Sequence, residues 1–446
     1  MNAYQDQRVR GRFSRTGGVA AIVAAFAIAG CDGLLDVDNP NNVLQQDIEE
    51  PAAASAVVNG ALARTTIAAG QMVRWLTLAS DEFGWSGSHN HAQEINQGSW
   101  RDPANSGVND GFNTASVARW MSDEAVELME AFEAEGILPH WQDLADAHLY
   151  AAISRLLIGD GFEDFVFSDR IETAPPIGEE SMPQVYDEAV THLQRMREVA
   201  QQQGDSERVR QAAAFQARAL WSKELWAKFQ PRGSQPADPL VNSAEAVAAA
   251  QEFLALSGGA DWRYDFEFSA GSQSNSFASY ALERREIAPS NVYVHHDASG
   301  RAVESVHFED PIDGIVDPAL NRIIMEFVEG GQFAPQPMVS AREMHLIVAE
   351  AALAQGDSDT FREHINAVRA FEGLSPYDGQ IPELDMLKHT RKVNLYLMGR
   401  RLHDHYRFGT QSPFWLHNSS AVTRPGSLFP IGEEERQSNC FLLGTC

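Results

Sequence analysis

The fold of this chain is decided by residues 340–371, which read SAREMHLIVAEAALAQGDSDTFREHINAVRAF. Apolar residues recur there at a helical spacing close to i, i+3, i+4 and i+7. They are Met344, Ile347, Val348 and Ala351 in the first half and Phe361, Ile365 and Val368 in the second. Gly356-Asp357 lies between the halves, and glycine tolerates the left-handed conformation that ends a helix while aspartate caps the next one. The stretch therefore predicts two helices in a tight hairpin, each with one buried face.

The same Gly-Asp pair occurs at Gly159-Asp160 and Gly204-Asp205, each at the end of a predicted helix. Stacked hairpins are typical of tetratricopeptide-like repeats, although the spacing is too irregular for a regular array of 34-residue units. A plain helical bundle is the alternative. Uninterrupted helical patterns cover residues 52–69, 114–135, 140–158, 183–203, 207–229, 244–256, 341–355, 358–371 and 384–408. We expect a mainly α fold with a tetratricopeptide-like scaffold of helix hairpins.

Two stretches lack the helical pattern, at about 80–112 and 258–340. Both are rich in glycine and serine and carry scattered aromatic residues. Long loops on a rigid scaffold often carry the residues that bind ligands. We therefore expect the functional site in these two loop insertions.

Composition indicates an acidic globular protein. The chain has 446 residues, of which 44% are apolar, and 34 lysines and arginines against 62 acids give a formal charge of −28. Such a chain lacks the excess of cations that binding to nucleic acid requires. The sequence therefore argues against a nucleic-acid partner.

The first thirty residues have the pattern of a secretory signal. Four arginines between positions 8 and 15 precede the apolar run 19–29, which is too short to span a bilayer. Ile28-Ala29-Gly30 before Cys31 resembles a bacterial lipobox, so that residues 1–30 are removed and Cys31 is lipidated. Residues 31–50 then form an acidic tether, and 51–446 a single helical domain. The alternatives are that Cys31 is a structural cysteine and that the tether is an ordinary loop.

Two further cysteines lie at the C-terminus. Cys440 and Cys446 are six residues apart. In an oxidising compartment they could pair and close a small terminal loop. The sequence leaves this pairing open.

The C-terminal third resembles the SusD/RagB family of outer-membrane nutrient-binding lipoproteins. Residues 340–351 look like the family's R-x-x-E-x-x-L-I-x-A-E-A helix, and residues 361–374 look like its I-N-x-V-R-x-R-x-G-L segment. Residues 391–409 look like the E-R-x-x-E-L and E-G-x-R-x-x-D-L-x-R-W-G run, and Leu428-Phe429-Pro430-Ile431 is similar to its closing strand. Weaker likenesses upstream extend the resemblance over most of the chain.

Three positions depart from the family pattern, which has acids where this chain has Thr390, Asn394 and Met398. The arginines next to these positions are Arg391, Arg400 and Arg401. Because the acids are missing, these arginines must pair with other residues in this chain. We expect these departures to affect details of the fold more than the binding site. For Arg401 and Asp404 we expect an i, i+3 pair on a helix.

The resemblance implies a non-catalytic, lipid-anchored protein on the surface of the bacterial outer membrane. Such a protein captures oligosaccharides, or in some members peptides, and delivers them to a SusC-like TonB-dependent channel. Sugars present apolar faces and hydroxyl rims, so that a sugar site combines aromatic platforms with hydrogen-bonding groups. The candidate ligand contacts are therefore Asp81, Trp85, His89, Asn90, Trp100, Trp262, Tyr264 and Tyr293.

Other chemistries have weaker support. The His89/His91, His295/His296 and His403/His405 pairs lack the helical i, i+4 spacing of paired metal ligands. The acids between Glu309 and Asp317 do not fit an EF-hand, so that calcium is possible but unsupported, and we expect no cofactor. The alternatives for function are a secreted helical-barrel glycoside hydrolase, with Asp81-Glu82 or Glu309-Asp310 as its acid/base pair, and a tetratricopeptide-like protein-protein scaffold.

Overall fold

Long helices form most of the structure, and most of them pack against the next helix along the chain. The computed structural model describes residues 48–169, 172–230, 232–300 and 302–446. The predicted signal peptide, the lipidation of Cys31 and nearly all of the tether lie outside these residues. Residues 51–446 form one compact unit.

Among the described residues of the N-terminal half, the α-helices are α1 (Ala54–Leu78), α2 (Asn90–Asn96), α3 (Ser106–Glu135), α4 (Trp141–Gly161), α5 (Pro183–Gln203), α6 (Ser206–Lys228) and α7 (Ala244–Ser257). In the C-terminal half the main helices are α8 (Pro318–Gly330), α9 (Ala341–Gln355), α10 (Ser358–Ala370), α11 (Glu383–Asn394) and α12 (Arg401–Phe408). Short helices follow at Ser420–Thr423, Glu433–Ser438 and Cys440–Leu443. The mainly helical fold class is confirmed.

The predicted hairpins form where glycine ends one helix and aspartate begins the next. Gly204 and Gly356 have φ angles of 71° and 75°, in the left-handed region. Asp205 accepts hydrogen bonds from two backbone N–H groups at the start of α6, and Asp357 accepts one from the Thr360 N–H at 3.1 Å. The α5–α6 and α9–α10 pairs therefore pack as hairpins.

The third Gly-Asp pair was wrongly predicted to end a helix. Helix α4 continues through Gly159 and Asp160 to Gly161. Gly159 is needed for close packing instead, because a Cβ there would lie 2.6 Å from the Tyr186 ring. Asp160 is buried and forms an ion pair with Arg218.

In the part of the chain that the structure describes, three two-stranded antiparallel sheets lie within or between the predicted loops. Strand β1 (Phe83–Trp85) pairs with β3 (Ile287–Pro289), β2 (Arg263–Phe266) with β6 (Gln336–Ser340), and β4 (Val294–His296) with β5 (Val303–Val306). The two insertions thus contain strands, and they also contain helices α2 and α8 and the beginning of α3. Helix α3 starts at residue 106 rather than 114 because Asn105 caps it, accepting hydrogen bonds from Gly107 and Val108.

The predicted helix 384–408 is two helices separated by a tight turn. Leu397 and Gly399 have φ angles of 66° and 74°, which no α-helix contains. Arg391 of α11 pairs with Asp404 of α12 across the turn, with a nitrogen-oxygen distance of 3.0 Å.

The arginines that lack the family's acids have other partners, as the sequence requires. Arg391 pairs with Asp404, Arg400 with Glu343 at 2.8 Å, and Arg401 with Asp81 at 2.8 Å. The expected Arg401–Asp404 pair is wrong, because Asp404 is buried between Arg391 and Arg407. Arg407 also pairs with Glu350, and both side chains are fully buried.

The C-terminal cysteines form a disulfide in the structure, between Cys440 and Cys446. The loop that they close follows the Glu433–Ser438 helix. None of the helices in the described residues combines the length and the apolar character needed to cross a bilayer.

Candidate ligand-binding site

The pairing of β1 with β3 brings the two insertions together. Trp85 lies opposite Ile287, and Gly84 opposite Ala288. Beyond the last strand residue, the N–H groups of Ser86 and Gly87 both donate to the Glu286 carbonyl at 3.0 Å. We call the surface formed by residues 84–91 and 280–287 the β1–β3 surface.

Glu286 holds the residues after β1 in place. Its carboxylate accepts hydrogen bonds from the backbone N–H of Ser88 at 2.6 Å and of His89 at 3.0 Å, and from the Ser88 hydroxyl at 3.1 Å. Burial opposes ionisation, but these hydrogen bonds outweigh it and lower the pKa of Glu286. The carboxylate is therefore charged and fixes the backbone from which His89 extends.

Gly87 is required for this arrangement. A Cβ at residue 87 would lie 2.0 Å from Oε2 of Glu286 and 2.5 Å from its Cα. Because moving a backbone atom costs more energy than moving the end of a side chain, Gly87→Ala is expected to separate the two insertions locally. We expect a loss of about 1–3 kcal/mol in the free energy of unfolding, measured by urea denaturation. Gly136→Ala is the control for adding a methyl group, because nothing lies within 4 Å of its Cβ position, although its positive φ adds some strain.

A tyrosine hydroxyl bridges two histidines on this surface. Nδ1 of His89 lies 2.7 Å from the Tyr280 hydroxyl, which lies 3.3 Å from Nε2 of His91. Burial raises the pKa of Tyr280 to about 12, and burial together with His89 lowers the pKa of His91. At neutral pH the Tyr280 hydroxyl and the His91 imidazole are therefore neutral hydrogen-bonding groups, suited to a polar uncharged ligand.

Arg74 packs against the aromatic rings of this cluster. Its guanidinium carbon lies 4.1 Å from the Trp75 ring centroid and 4.3 Å from that of Tyr280. Burial lowers the pKa of Arg74 to about 10, so that the group stays charged at neutral pH. Trp75 is buried and also contacts His91 edge to face. Helix α1 thus fixes the orientation of Tyr280 and His91.

Three predicted ligand contacts lie at this surface. Trp85 and His89 are half-buried and Asn90 is exposed. The Trp85 backbone donates to the Asn96 side chain at 3.1 Å, while its buried indole N–H finds no acceptor among the described residues. Phe414, also half-buried, packs over Gly84. Aromatic faces and hydrogen-bonding groups thus lie side by side, as a sugar site requires.

Three other predicted contacts must be corrected, because their side chains lie in the core. Trp100 is fully buried and packs edge to face against Trp415 and Phe429. Tyr293 is fully buried and donates its hydroxyl to Asp81 at 2.9 Å. Asp81 is itself buried by its pair with Arg401, so that none of these three groups faces solvent.

The last two predicted contacts, Trp262 and Tyr264, lie at the start of β2, which pairs with β6, and they pack against the helices. Trp262 packs on Phe253 and donates its indole N–H to Glu207 at 3.0 Å. Tyr264 packs edge to face on Phe215. Both side chains thus contact other residues of the protein, and neither belongs to the β1–β3 pair. We do not include them in the site.

Four residues of the site escaped the sequence analysis: Arg74, Tyr280, Glu286 and Phe414. Arg74 lies on α1, between the predicted helix 52–69 and the first insertion, and Phe414 lies outside both insertions. Tyr280 and Glu286 do lie in the second insertion, but nothing in their local sequence indicates that they contact residues nearly 200 positions away. The aromatic and charged character of Tyr280 and Glu286 is the only local signal that could have found them.

One group of side chains has the composition of a metal site. Ligand atoms of Asp310, Asp317 and His389 lie within 4.8 Å of one another. However, Arg369 donates to the Asp310 carboxylate at 2.7 Å, and Asp317 caps α8 through the Leu320 N–H. The arginine already neutralises the charge that would attract a cation, so that the arrangement is explained as an ion-pair network.

Comparison with known proteins identifies the fold but not the sequence family. No protein-family model matches the chain, and no curated protein matches it in sequence. Solved structures do match, and many of them share one fold. The fold and the surface described above define a class: helical-hairpin proteins in which loop insertions meet on the scaffold.

The particular fold is that of the SusD superfamily. A SusD superfamily protein from Bacteroides vulgatus is 12% identical, with a TM-score of 0.57, over 88% of this chain and 98% of that one. One from Bacteroides thetaiotaomicron is 12% identical, with a TM-score of 0.58, over 87% and 98%. A SusD-like carbohydrate binding protein from B. vulgatus is 12% identical, with a TM-score of 0.56, over 89% and 98%. The resemblance seen in the sequence is thus confirmed for the fold.

Proposed function

We propose that this protein binds oligosaccharides, or alternatively peptides, at the β1–β3 surface without altering them. The observation that carries the proposal is the pairing of β1 with β3, which places Trp85 opposite Ile287 and His89 against Tyr280 on a SusD fold. The likeness to a carbohydrate binding protein of the same fold supports a sugar ligand. The net charge favours a neutral glycan or a basic peptide over a sulfated or uronic-acid glycan.

The test is a glycan and peptide array probed with the chain from residue 32 onward. Binding to neutral oligosaccharides or basic peptides is expected. An array without any hit would contradict the proposal. Turnover of a bound oligosaccharide would instead favour the hydrolase alternative, although Asp81 and Asp310 of its suggested pairs are engaged with Arg401 and Arg369.

Removing the indole at the β1–β3 surface is expected to weaken binding. Trp85→Ala deletes a half-buried aromatic platform, and we expect a loss of about 1–3 kcal/mol in binding free energy. Isothermal calorimetry with a ligand from the array measures it. The matched control is Trp141→Ala, because Trp141 is also half-buried but lies on α4 and contacts Arg208. Equal affinities of both variants would remove Trp85 from the site.

The rest of the proposal concerns location and partner. We propose that Cys31 is acylated, that the protein lies on the outer-membrane surface, and that it delivers its ligand to a SusC-like TonB-dependent channel. The fold and the lipobox pattern support this. Mass spectrometry of the mature N-terminus tests the acyl group. Affinity purification from outer membranes tests the partner, and recovery without a channel protein would contradict it.

A further inference from the structure

Two histidines face each other between helices α4 and α5. Nδ1 of His148 on α4 lies 3.0 Å from Nδ1 of His192 on α5, and the ring centroids are 5.2 Å apart. His148 is buried, whereas His192 is half-buried and forms the solvent side of the pair. Nε2 of His192 bonds to no described residue. The two facing nitrogens are therefore the only polar contact that the described residues make to the His192 ring.

A carboxylate fixes the tautomer of His148. Nε2 of His148 donates to Oε1 of Glu130 on α3 at 3.0 Å, because an ionised carboxylate only accepts hydrogen bonds. Burial opposes ionisation of Glu130, but its hydrogen bonds with Arg195 and His148 outweigh burial and lower its pKa. In the neutral ring of His148, Nδ1 thus carries a lone pair. A histidine that donates its other nitrogen to a carboxylate is the usual form of a histidine metal ligand.

Both rings are neutral at neutral pH. Burial lowers the pKa of His148, and burial together with the charge of Arg155 lowers that of His192. Without a metal, Nδ1 of His192 carries the hydrogen that it donates to His148. Metal ions bind neutral imidazole, so that neither ring has to lose charge before it becomes a ligand.

The arginines nearest to the pair belong to an acidic ion-pair network. The network has three arginines: Arg119, Arg155 and Arg195. It has five carboxylates: Asp123, Glu130, Glu133, Glu188 and Glu198. Three positive and five negative charges leave a net charge of −2. Arg155 itself donates to Asp123 at 2.7 Å and to Glu188 at 2.8 Å, so that its charge is neutralised beside the pair.

The separation of the two Nδ1 atoms suits one metal ion. Bonds from a divalent metal to imidazole nitrogen are about 2.0–2.1 Å long. With the nitrogens 3.0 Å apart, such bonds meet at the metal at an angle of about 95°. A near-right angle is typical of the tetragonal coordination of Cu²⁺ rather than of tetrahedral Zn²⁺, and imidazole is a preferred ligand of Cu²⁺.

We propose that His148 and His192 together bind one divalent transition-metal ion, represented by Cu²⁺, and that Glu130 is a positioning residue for His148. Each Nδ1 forms a bond to the ion, and two waters leave it. Nδ1 of His192 loses its hydrogen while Nε2 of the same ring takes up a proton, so that the ring stays neutral. The ion joins α4 to α5. The site does not depend on the function proposed for the β1–β3 surface.

A second histidine pair allows a comparison within the same chain. Nδ1 of His345 on α9 lies 2.9 Å from Nδ1 of His364 on α10, and both rings are half-buried. No carboxylate among the described residues forms a hydrogen bond with either ring. Because the separation is nearly the same but the positioning carboxylate is missing, we expect this pair to bind Cu²⁺ about tenfold or more weakly than His148 and His192.

The experiment is calorimetry of the chain from residue 32 with Cu²⁺, in the presence of glycine as a competing chelator that suppresses weak sites. One tight site per chain is expected. His192→Ala should remove it, and His364→Ala should leave it unchanged. Glu130→Gln should weaken it about tenfold or more. The matched control is Glu133→Gln, which removes a carboxylate from the same Arg195 but no partner of His148, and should leave the affinity unchanged.

Electron paramagnetic resonance identifies the ligands of the bound Cu²⁺ while both proposed ligands are present. It is recorded on His364→Ala, which lacks the comparison pair, and two imidazole nitrogens are expected. Glu130→Gln saturated with Cu²⁺ should keep these two nitrogens, because Glu130 positions a ligand and does not bind the ion. Far-ultraviolet circular dichroism shows whether each variant is folded.

Three results would each overturn the proposal. The first is a spectrum of the tight site with fewer than two imidazole nitrogens, which decides the matter even if His192→Ala does not fold. The second is a folded His192→Ala that keeps the tight site. The third is equal Cu²⁺ affinity of Glu130→Gln and Glu133→Gln, which would remove the positioning role of Glu130.

Discussion

Replacing Arg407 by methionine is expected to destabilise the protein by about 3–5 kcal/mol. Arg407 and Glu350 are both fully buried and paired, and Nε of Arg407 donates to Asp404 at 2.8 Å. Methionine removes the cation but leaves two carboxylates without that partner in the core. Their remaining cationic partner is Arg391, which lies 3.0 Å from Asp404 and 3.6 Å from Glu350. One guanidinium cannot satisfy both groups.

Urea denaturation of the folded chain measures this effect. The matched control is Arg362→Met, because Arg362 pairs with Asp359 at the surface, where 38% and 94% of the two side chains are exposed. Exposed pairs contribute little, so that the control is expected to change stability by less than about 1 kcal/mol. Adding Glu350→Gln to Arg407→Met should recover part of the loss, because it removes one of the uncompensated charges. Similar midpoints for Arg407→Met and Arg362→Met would contradict the importance of the network.

Local sequence carried enough information for the helices but not for their exact ends. The spacing of Met344, Ile347 and Val348 predicted α9 because helical periodicity depends only on near neighbours. The break between α11 and α12 depends on distant packing: a Cβ at Gly399 would lie 3.2 Å from Leu76 of α1. A single glycine near a helix end does not reveal that contact.

The candidate site could be predicted only as a region. Trp85 and Trp100 both lie in the first insertion among polar residues, and the sequence does not distinguish them. The structure does, because Trp415 and Phe429, more than 300 residues later, cover Trp100. Glu286 and Tyr280 are likewise brought to His89 by the β1–β3 pairing, which is a long-range contact. The long loops predicted the region of the candidate site, whereas tertiary packing decides which residues of that region can contact a ligand.

Asp81, predicted to contact the ligand, is a further residue whose burial contradicts the prediction. Arg401 donates to its two oxygens at 2.8 and 3.0 Å, and His405 and Lys392 lie at 3.3 and 3.6 Å. Burial opposes ionisation of Asp81, but the neighbouring His405 and the Arg401 charge hold its pKa well below 3.8. Asp81 thus joins the start of the first insertion to α11 and α12.

Glu82, the next residue, has the opposite electrostatics. It is buried, and burial together with the charge of Asp81 raises its pKa well above 4.5. Its Oε2 has no hydrogen-bond partner among the described residues. Folding therefore favours the protonated form of Glu82 and the ionised form of Asp81, although the two residues are adjacent in the chain.

Isosteric amides at these neighbouring positions are expected to change stability in opposite directions. At pH 7 Asp81→Asn should lose about 3–5 kcal/mol, because Arg401 and Lys392 are left buried without their carboxylate. Glu82→Gln should gain about 1–3 kcal/mol, because a buried group that resists ionisation becomes permanently neutral. Urea denaturation of both variants beside the unchanged chain measures the two differences.

The pH dependence separates these effects from simple packing changes. The folded pKa of Asp81 is lowered, so that its contribution is complete above its ordinary pKa of 3.8 and is lost as the pH falls towards the folded value. The deficit of Asp81→Asn should therefore shrink in acid. The folded pKa of Glu82 is raised, so that the unchanged chain loses stability as the pH rises above 4.5, and the gain of Glu82→Gln should grow over that range. Differences that stay constant from pH 3 to 8 would show that both substitutions act through shape, and the electrostatic account of this junction would be wrong.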